Sequence, residues 1–138
     1  MTDYLDPDRA RFAHFKDLPR DHPIQMLNLV QLHETARYPD GRTTTGVQAY
    51  QAYGAASGSV FRRLGGTILW SGQPQLVLIG PEDETWDIAF VAAYPSGQAF
   101  IDMIRDPEYR AAVGHRQAAV KTSRLIRMSP SEAPEGFA

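Results

Sequence analysis

Apolar positions along this chain fall into two kinds of run. Ile24-Gln25-Met26-Leu27-Asn28-Leu29-Val30-Gln31-Leu32 is mostly apolar on both alternating faces, follows Pro23 and carries no capping residue. Too short for a globular helix, it predicts a strand buried on two sides. Trp86 to Tyr94 reads the same way, with Ile88, Phe90 and Ala92 set against Ala89, Val91 and Ala93. Thr67-Ile68-Leu69-Trp70 and Leu76-Val77-Leu78-Ile79 flank Ser71-Gly72-Gln73-Pro74. They predict either one edge strand with a bulge or two short strands, and Pro74, which cannot donate to a ladder, favours an edge. Ser123 to Met128 is a last strand.

Helical spacing governs the stretches between. Thr45 with Gln48 three residues on is a capping box. Val47, Tyr50, Gly54, Ser57, Val60 or Phe61, and Leu64 then recur on one side until Gly65-Gly66, where one glycine can take the left-handed cap. The stripe is small at Gly54, Ser57 and Gly58, which allows close approach to a sheet or leaves room for a ligand. Pro95-Ser96 opens a short helix with Phe100, Met103 and Ile104. Asp106-Pro107 restarts it, carrying Tyr109, Ala112, Val113, Arg116 and Val120. Near the start, Asp6-Pro7-Asp8-Arg9 opens a helix with Asp6 as its cap, closed at Leu18-Pro19, as a cover for something else. Residues 33 to 45 hold Asp40-Gly41 and form a loop.

Strand, helix, strand, strand, helix, strand is the α+β, ferredoxin-like βαββαβ order. Right-handed crossovers put both helices on one face of a four-stranded antiparallel sheet and make the first and third strands central. Helices then cover one face only, while the other carries Leu, Ile, Val, Phe or Ala. At about 25 cal/mol per Å², leaving several aliphatic side chains in water forfeits many kcal/mol. A second copy packed sheet to sheet about a two-fold axis is the simplest cover, so the expectation is a homodimer.

The remaining composition narrows the classes. The 138 residues form a single domain, with a core of about 24–128, an N-terminal helical extension at 1–23 and a flexible tail at 129–138. Fourteen Lys and Arg against sixteen Asp and Glu give a net charge of -2, with no basic stripe for nucleic acid. Cysteine is absent, which removes disulfides, thiol nucleophiles and thiolate metal sites. No apolar run reaches membrane-span length, and the first residues lack a secretory leader, so the expected setting is cytoplasmic. There is no GxGxxG, GxxxxGK[ST] or GxSxG motif and no metal-ligand histidine spacing, so no metal and no cofactor is called for.

Met26-Leu27-Asn28-Leu29, Gly65-Gly66-Thr67-Ile68-Leu69-Trp70-Ser71-Gly72, Tyr94-Pro95-Ser96, Asp106-Pro107-Glu108-Tyr109-Arg110, His115-Arg116-Gln117-Ala118-Ala119 and Ser123-Arg124-Leu125-Ile126 stand in an order that resembles the domain of unknown function 1330 family. That family lies in the dimeric α/β-barrel superfamily. The resemblance implies a barrel-like dimer, and it supplies no reaction. Wider relatives include cofactor-independent monooxygenases, haem-degrading enzymes, lactone isomerases and small-molecule-binding domains. Function transfers poorly across so shared a scaffold.

A pocket is expected between the sheet and its helices. Asn28 shares a strand face with Ile24, Met26 and Val30, so its amide must find partners there. It either orients a substrate carbonyl or phenolate or bonds neighbouring backbone. His115, within the last helix, is a candidate base, acid or haem ligand, against the plainer reading of a helical histidine paired with a carboxylate. Arg116 on an apolar stripe and Arg124 on a strand must each be paired or face a cavity. They could hold a carboxylate or enolate, bridge to Asp87 or Asp102, or cross the dimer. Candidate catalytic residues are therefore His115, Asn28 and Arg124, and candidate substrate-binding residues are Trp70, Tyr94, Tyr109, Tyr50 and Arg116. Two functions compete, with a third behind them. The first is a homodimer binding a small apolar or aromatic molecule, with cofactor-independent oxygenase or isomerase chemistry. The second is a binding module without turnover, and the third a haem protein using His115.

Overall fold

A computed structural model describes residues 2–137. The elements run α1 (Arg9–Asp17), β1 (Ile24–Leu32), α2 (Gly46–Arg63), β2 (Thr67–Gly72), β3 (Ile88–Tyr94), α3 (Gly97–Arg105), α4 (Pro107–Ala119) and β4 (Val120–Met128). The sheet is antiparallel in the order β2-β3-β1-β4, the ferredoxin-like arrangement, with β1 and β3 central. None of the helices among the described residues is long and apolar enough to cross a membrane.

Local chemistry accounts for the helix ends. The Thr45 hydroxyl accepts from the Gln48 amide while the Gln48 side chain accepts from the Thr45 amide. A Cβ on Gly46, the first residue of α2, would sit 1.9 Å from the carbonyl oxygen of His33, so only glycine lets the helix start this close to the end of β1. At the other end Gly65 takes φ +85°. Asp106 ends α3 and caps α4 with its own carboxylate, and Pro107 fills the first turn, where no N–H is needed.

Four details depart from the sequence reading. The α1 cap is Asp8, whose carboxylate accepts from the Arg11 amide, and not Asp6. Asp6 lies instead beside Arg116 and Gln117 of α4. Val120 belongs to β4 and not to the helical stripe, because it pairs with Leu32 across the sheet. β3 begins at Ile88 and not at Trp86, since Asp87 turns its carboxylate onto the Leu32 amide. Leu76-Val77-Leu78-Ile79 joins no strand of this sheet. β2 is one edge strand, and its bulge falls at Leu69, so Trp70 stands opposite Val91.

The strand register sorts side chains into rows across the sheet, because directly opposed residues share a face. Towards the helices lie the rows Ile68–Ala92–Met26–Arg127 and Ser71–Phe90–Asn28–Leu125, followed by Ile88–Val30–Ser123. Away from them lie Trp70–Val91–Leu27–Ile126 and Gly72–Ala89–Leu29–Arg124. The helix-side core has two parts. One gathers Ile24, Met26, Val60, Ala92, Tyr94 and Phe100, and the other Val30, Ala36, Ala49, Ala118, Ala119 and Val120. α1 seals one margin: Phe15 packs on Phe100 at 5.0 Å, and Arg127 donates to the carbonyls of Phe15 and Pro19.

The far face is roofed by the chain at one end only. There Arg124 lies over the rings of Tyr4 and Trp86 and 3.3 Å from Glu84. Trp70 at 54% exposure and Ile126 at 46% sit in the uncovered row. Each large apolar side chain kept in water forfeits about 1.5–3 kcal/mol relative to burial.

Candidate functional site

The middle row on the helix side differs from its neighbours. Met26 and Val30, on either side of it along β1, are 3% and 2% exposed. Asn28 between them is half-buried, as is Phe90, and Leu125 is 41% exposed. The two parts of the core therefore close above and below a row that stays partly open to the β4 side. Asn28 donates from Nδ2 to the Met26 carbonyl at 3.1 Å, its one side-chain hydrogen bond among the described residues. That is a local bond, and it leaves Oδ1 and one N–H of the amide for another molecule.

Phenols link the two parts of the core. Tyr50 packs against the Val30 part of the core and Tyr109 against the Met26 part. Tyr53 joins them, its ring 5.5 Å from Tyr50 and its hydroxyl 2.9 Å from that of Tyr109. Tyr94 lies deeper, edge-on to Phe61 and Phe100. Burial pushes the Tyr50 phenol up to about 12, and it raises Tyr53 and Tyr94 from the ordinary tyrosine value as well. The Arg116 charge pulls Tyr50 and Tyr53 part of the way back. All three phenols stay protonated at neutral pH, and that of Tyr94 donates to the Met103 sulfur at 3.9 Å.

Arg116 is held by the N-terminal segment. It donates to the Leu5 carbonyl at 2.7 Å and to Ser123 Oγ at 3.1 Å, with Asp6 at 3.7 Å. The acidic partners anticipated for the arginines, Asp87 and Asp102, are not the ones found. Asp87 serves the Leu32 amide, Asp102 accepts from Gln98, and the carboxylates beside Arg116 and Arg124 are Asp6 and Glu84. The segments carrying Asp6 and Glu84 have no regular pattern, so nothing in the sequence pointed to them.

The structure brings Asn28, Tyr50, Tyr109, Arg116 and Tyr94 to the helix side of the sheet. Tyr53, which binds two of these rings together, is not among the residues the sequence singles out; its position one helical turn before Ser57 is the available signal. Trp70 and Arg124 stand on the opposite face and cannot meet the same molecule. His115 is separate too. Consecutive helix residues diverge by about 100°, so His115 and Arg116 leave α4 on different flanks. His115 Nδ1 lies 2.6 Å from the Tyr38 hydroxyl, and the two rings meet edge to face at 5.7 Å. Its partner is therefore a phenol of the loop at residues 33–45, in place of the carboxylate that the plainer reading supplied.

Two open hollows lie elsewhere. One of about 420 Å³ is lined by residues 74–78 together with Gly80 and Trp86, and one of about 220 Å³ by Leu18, Ile24 and Arg127. Among the described residues no three His, Asp or Glu side chains converge as a metal site would require.

Comparison with known proteins places this geometry. A structure of methylated RPA0582 is 58% identical, covers 96% of this chain and 98% of its own, and superposes with a TM-score of 0.93. A second structure of RPA0582, a protein of unknown function from Rhodopseudomonas palustris, is 57% identical over 96% of this chain and 100% of its own, with a TM-score of 0.91. SnoaB, a cofactor-independent oxygenase from Streptomyces nogalater, shares the fold at 14% identity and a TM-score of 0.53, covering 83% of this chain and 99% of its own. Comparison with curated proteins finds no match. The family described as domain of unknown function (DUF1330) matches residues 42–128, and with this match the chain belongs to that family.

Proposed function

We propose that this protein is a homodimer that binds a small, largely apolar aromatic molecule over the Asn28 row, between the sheet and its helices. The observation that carries this reading is the half-open row between two closed ones, with phenols linking the two parts of the core on the same side of the sheet. Phe90 and Leu125 offer apolar contact from the sheet, Asn28 a directional amide, and the tyrosines protonated hydroxyls. Apolar walls with a few converging polar groups suit a planar ligand bearing a carbonyl or phenolic oxygen. The homodimer follows from the row Trp70–Val91–Leu27–Ile126, which a two-fold copy covers with itself.

SnoaB is a cofactor-independent oxygenase. The donors over Asn28 would suit the stabilisation of an enolate in such a reaction. A proton acceptor is the missing part: the groups over the row are an amide, phenols and a guanidinium, while His115 faces Tyr38. Binding without turnover is thus the better supported reading.

The test is titration with an anthrone or a hydroquinone, followed by intrinsic fluorescence and melting temperature, with an oxygen electrode in parallel. Saturable binding is expected, together with a rise in melting temperature. Asn28→Leu should weaken binding at least about tenfold, the effect of one lost directional hydrogen bond, while leaving the melting temperature of the free protein unchanged or higher. Equal binding by Asn28→Leu would overturn the proposed position. Oxygen uptake lost in the variant would favour the enzymatic reading.

A further inference from the structure

We propose that residues 75–79 form an exchanged strand, which pairs with a free sheet edge of a second copy of this chain and latches the homodimer. This rests on the dimer reading above and adds a second element to it. The run Gln75-Leu76-Val77-Leu78-Ile79 contains no charge, no proline and no glycine, and its β-branched and aliphatic content predicts a strand. Among the described residues it joins no strand of its own chain. Leu76, Leu78 and Ile79 are 77%, 83% and 93% exposed, and residues 75–79 make no hydrogen bond among the described residues. Such a segment left in water is a template for uncontrolled pairing, a liability that a defined partner removes.

A second copy is the occupant that the molecule itself specifies. Each chain carries one unpaired strand-like segment. Each also carries a free edge at β2, which stands at the end of the sheet with no backbone partner on its outer side among the described residues. The segment leaves directly from the end of β2, beside the uncovered row that holds Trp70. The segment's exposed Leu76, Leu78 and Ile79 extend the apolar surface of Leu69, Trp70 and Ile126, so one copy can cover both at once. The hollow of about 420 Å³ fits this picture, because its lining comes from Pro74 to Leu78 and from the following turn, Gly80 to Trp86, and from none of the named strands.

Hydrogen–deuterium exchange and light scattering on the full chain test the proposal. The amides of residues 76–79 are expected to exchange at least about 100-fold more slowly than in a free peptide, in a protein of twice the chain mass. Leu78→Asp, at a side chain that its own fold leaves in water, should abolish that protection and weaken the dimer at least about tenfold, with an unchanged circular dichroism spectrum. A dimer whose 76–79 amides exchange freely overturns the exchanged strand and leaves the sheet-to-sheet dimer standing. A wild-type monomer at micromolar concentration overturns both. A Leu78→Asp chain as protected and as dimeric as wild type also overturns the latch.

Discussion

Met26 and Leu27 are adjacent on β1, yet they live in different solvents. Met26 faces the helices at 3% exposure, in the part of the core built on Ile24, Val60 and Phe100. Leu27 faces the other way, in a row with Trp70, Val91 and Ile126. The two faces are built from similar aliphatic side chains. What differs is what each is given: one face has four helices' worth of cover, the other a patch made by Tyr4, Glu84 and Trp86 around Arg124. A face that is greasy without cover is a surface for association, whereas a covered one is a core.

The sharpest way to break this contrast is to truncate one residue on each side. Met26→Ala should destabilise the chain by about 2–5 kcal/mol in urea unfolding, through lost burial and the cavity left behind. Leu27→Asp, one residue along, should leave a folded chain and abolish the dimer, read as a halved mass in light scattering. A Leu27→Asp protein that unfolds outright would show that both faces belong to one core.

Raising the pH probes the covered face from within. Tyr50, Tyr53 and Tyr94 have folded values raised above the unfolded one by burial. Their contribution to stability is complete below the unfolded value of 10 and declines as pH rises through the folded range, which for Tyr50 reaches about 12. Spectrophotometric titration should therefore show fewer than the six tyrosines ionising until the protein unfolds at high pH. All six titrating near 10 would mean that the phenols on the helix side of the sheet are wet.

A smaller effect distinguishes the helix layer from the sheet. Hydrogen bonds from Arg63, then from the Glu108 amide, hold the Asp106 carboxyl below its ordinary value of 3.8. A lowered folded value contributes stability that is present above the ordinary value and is lost as pH falls through the folded one. Asp106→Asn should flatten the acid limb of the stability profile below pH 3.8 while leaving the mass in solution unchanged.

Legibility varied with the range of the interaction. The capping box at Thr45 and Gln48, the Asp106-Pro107 restart and the left-handed Gly65 are all local chemistry, and all stand where the sequence placed them. Asp6 was misread because two aspartates flank Pro7, and tertiary contact with Arg116 decided which of them is the cap. At the candidate site Asn28 and the tyrosines were visible as residue types. Their convergence was not, nor was the exclusion of Trp70 and Arg124. A single bulge at Leu69 sets Trp70 opposite Val91, and such a shift moves side chains between faces without any mark in the composition.

The sequence by itself determined the order of elements, the caps of α2 and α4 and the surplus of apolar surface over available cover, because these depend on propensity, capping and counting. Tertiary structure alone decided which part of that surplus stays uncovered, which phenols meet, and that Leu76 to Ile79 finds no strand partner among the described residues. Those outcomes depend on register and on contacts between distant segments, and neither is written in the spacing of residues along a strand or helix.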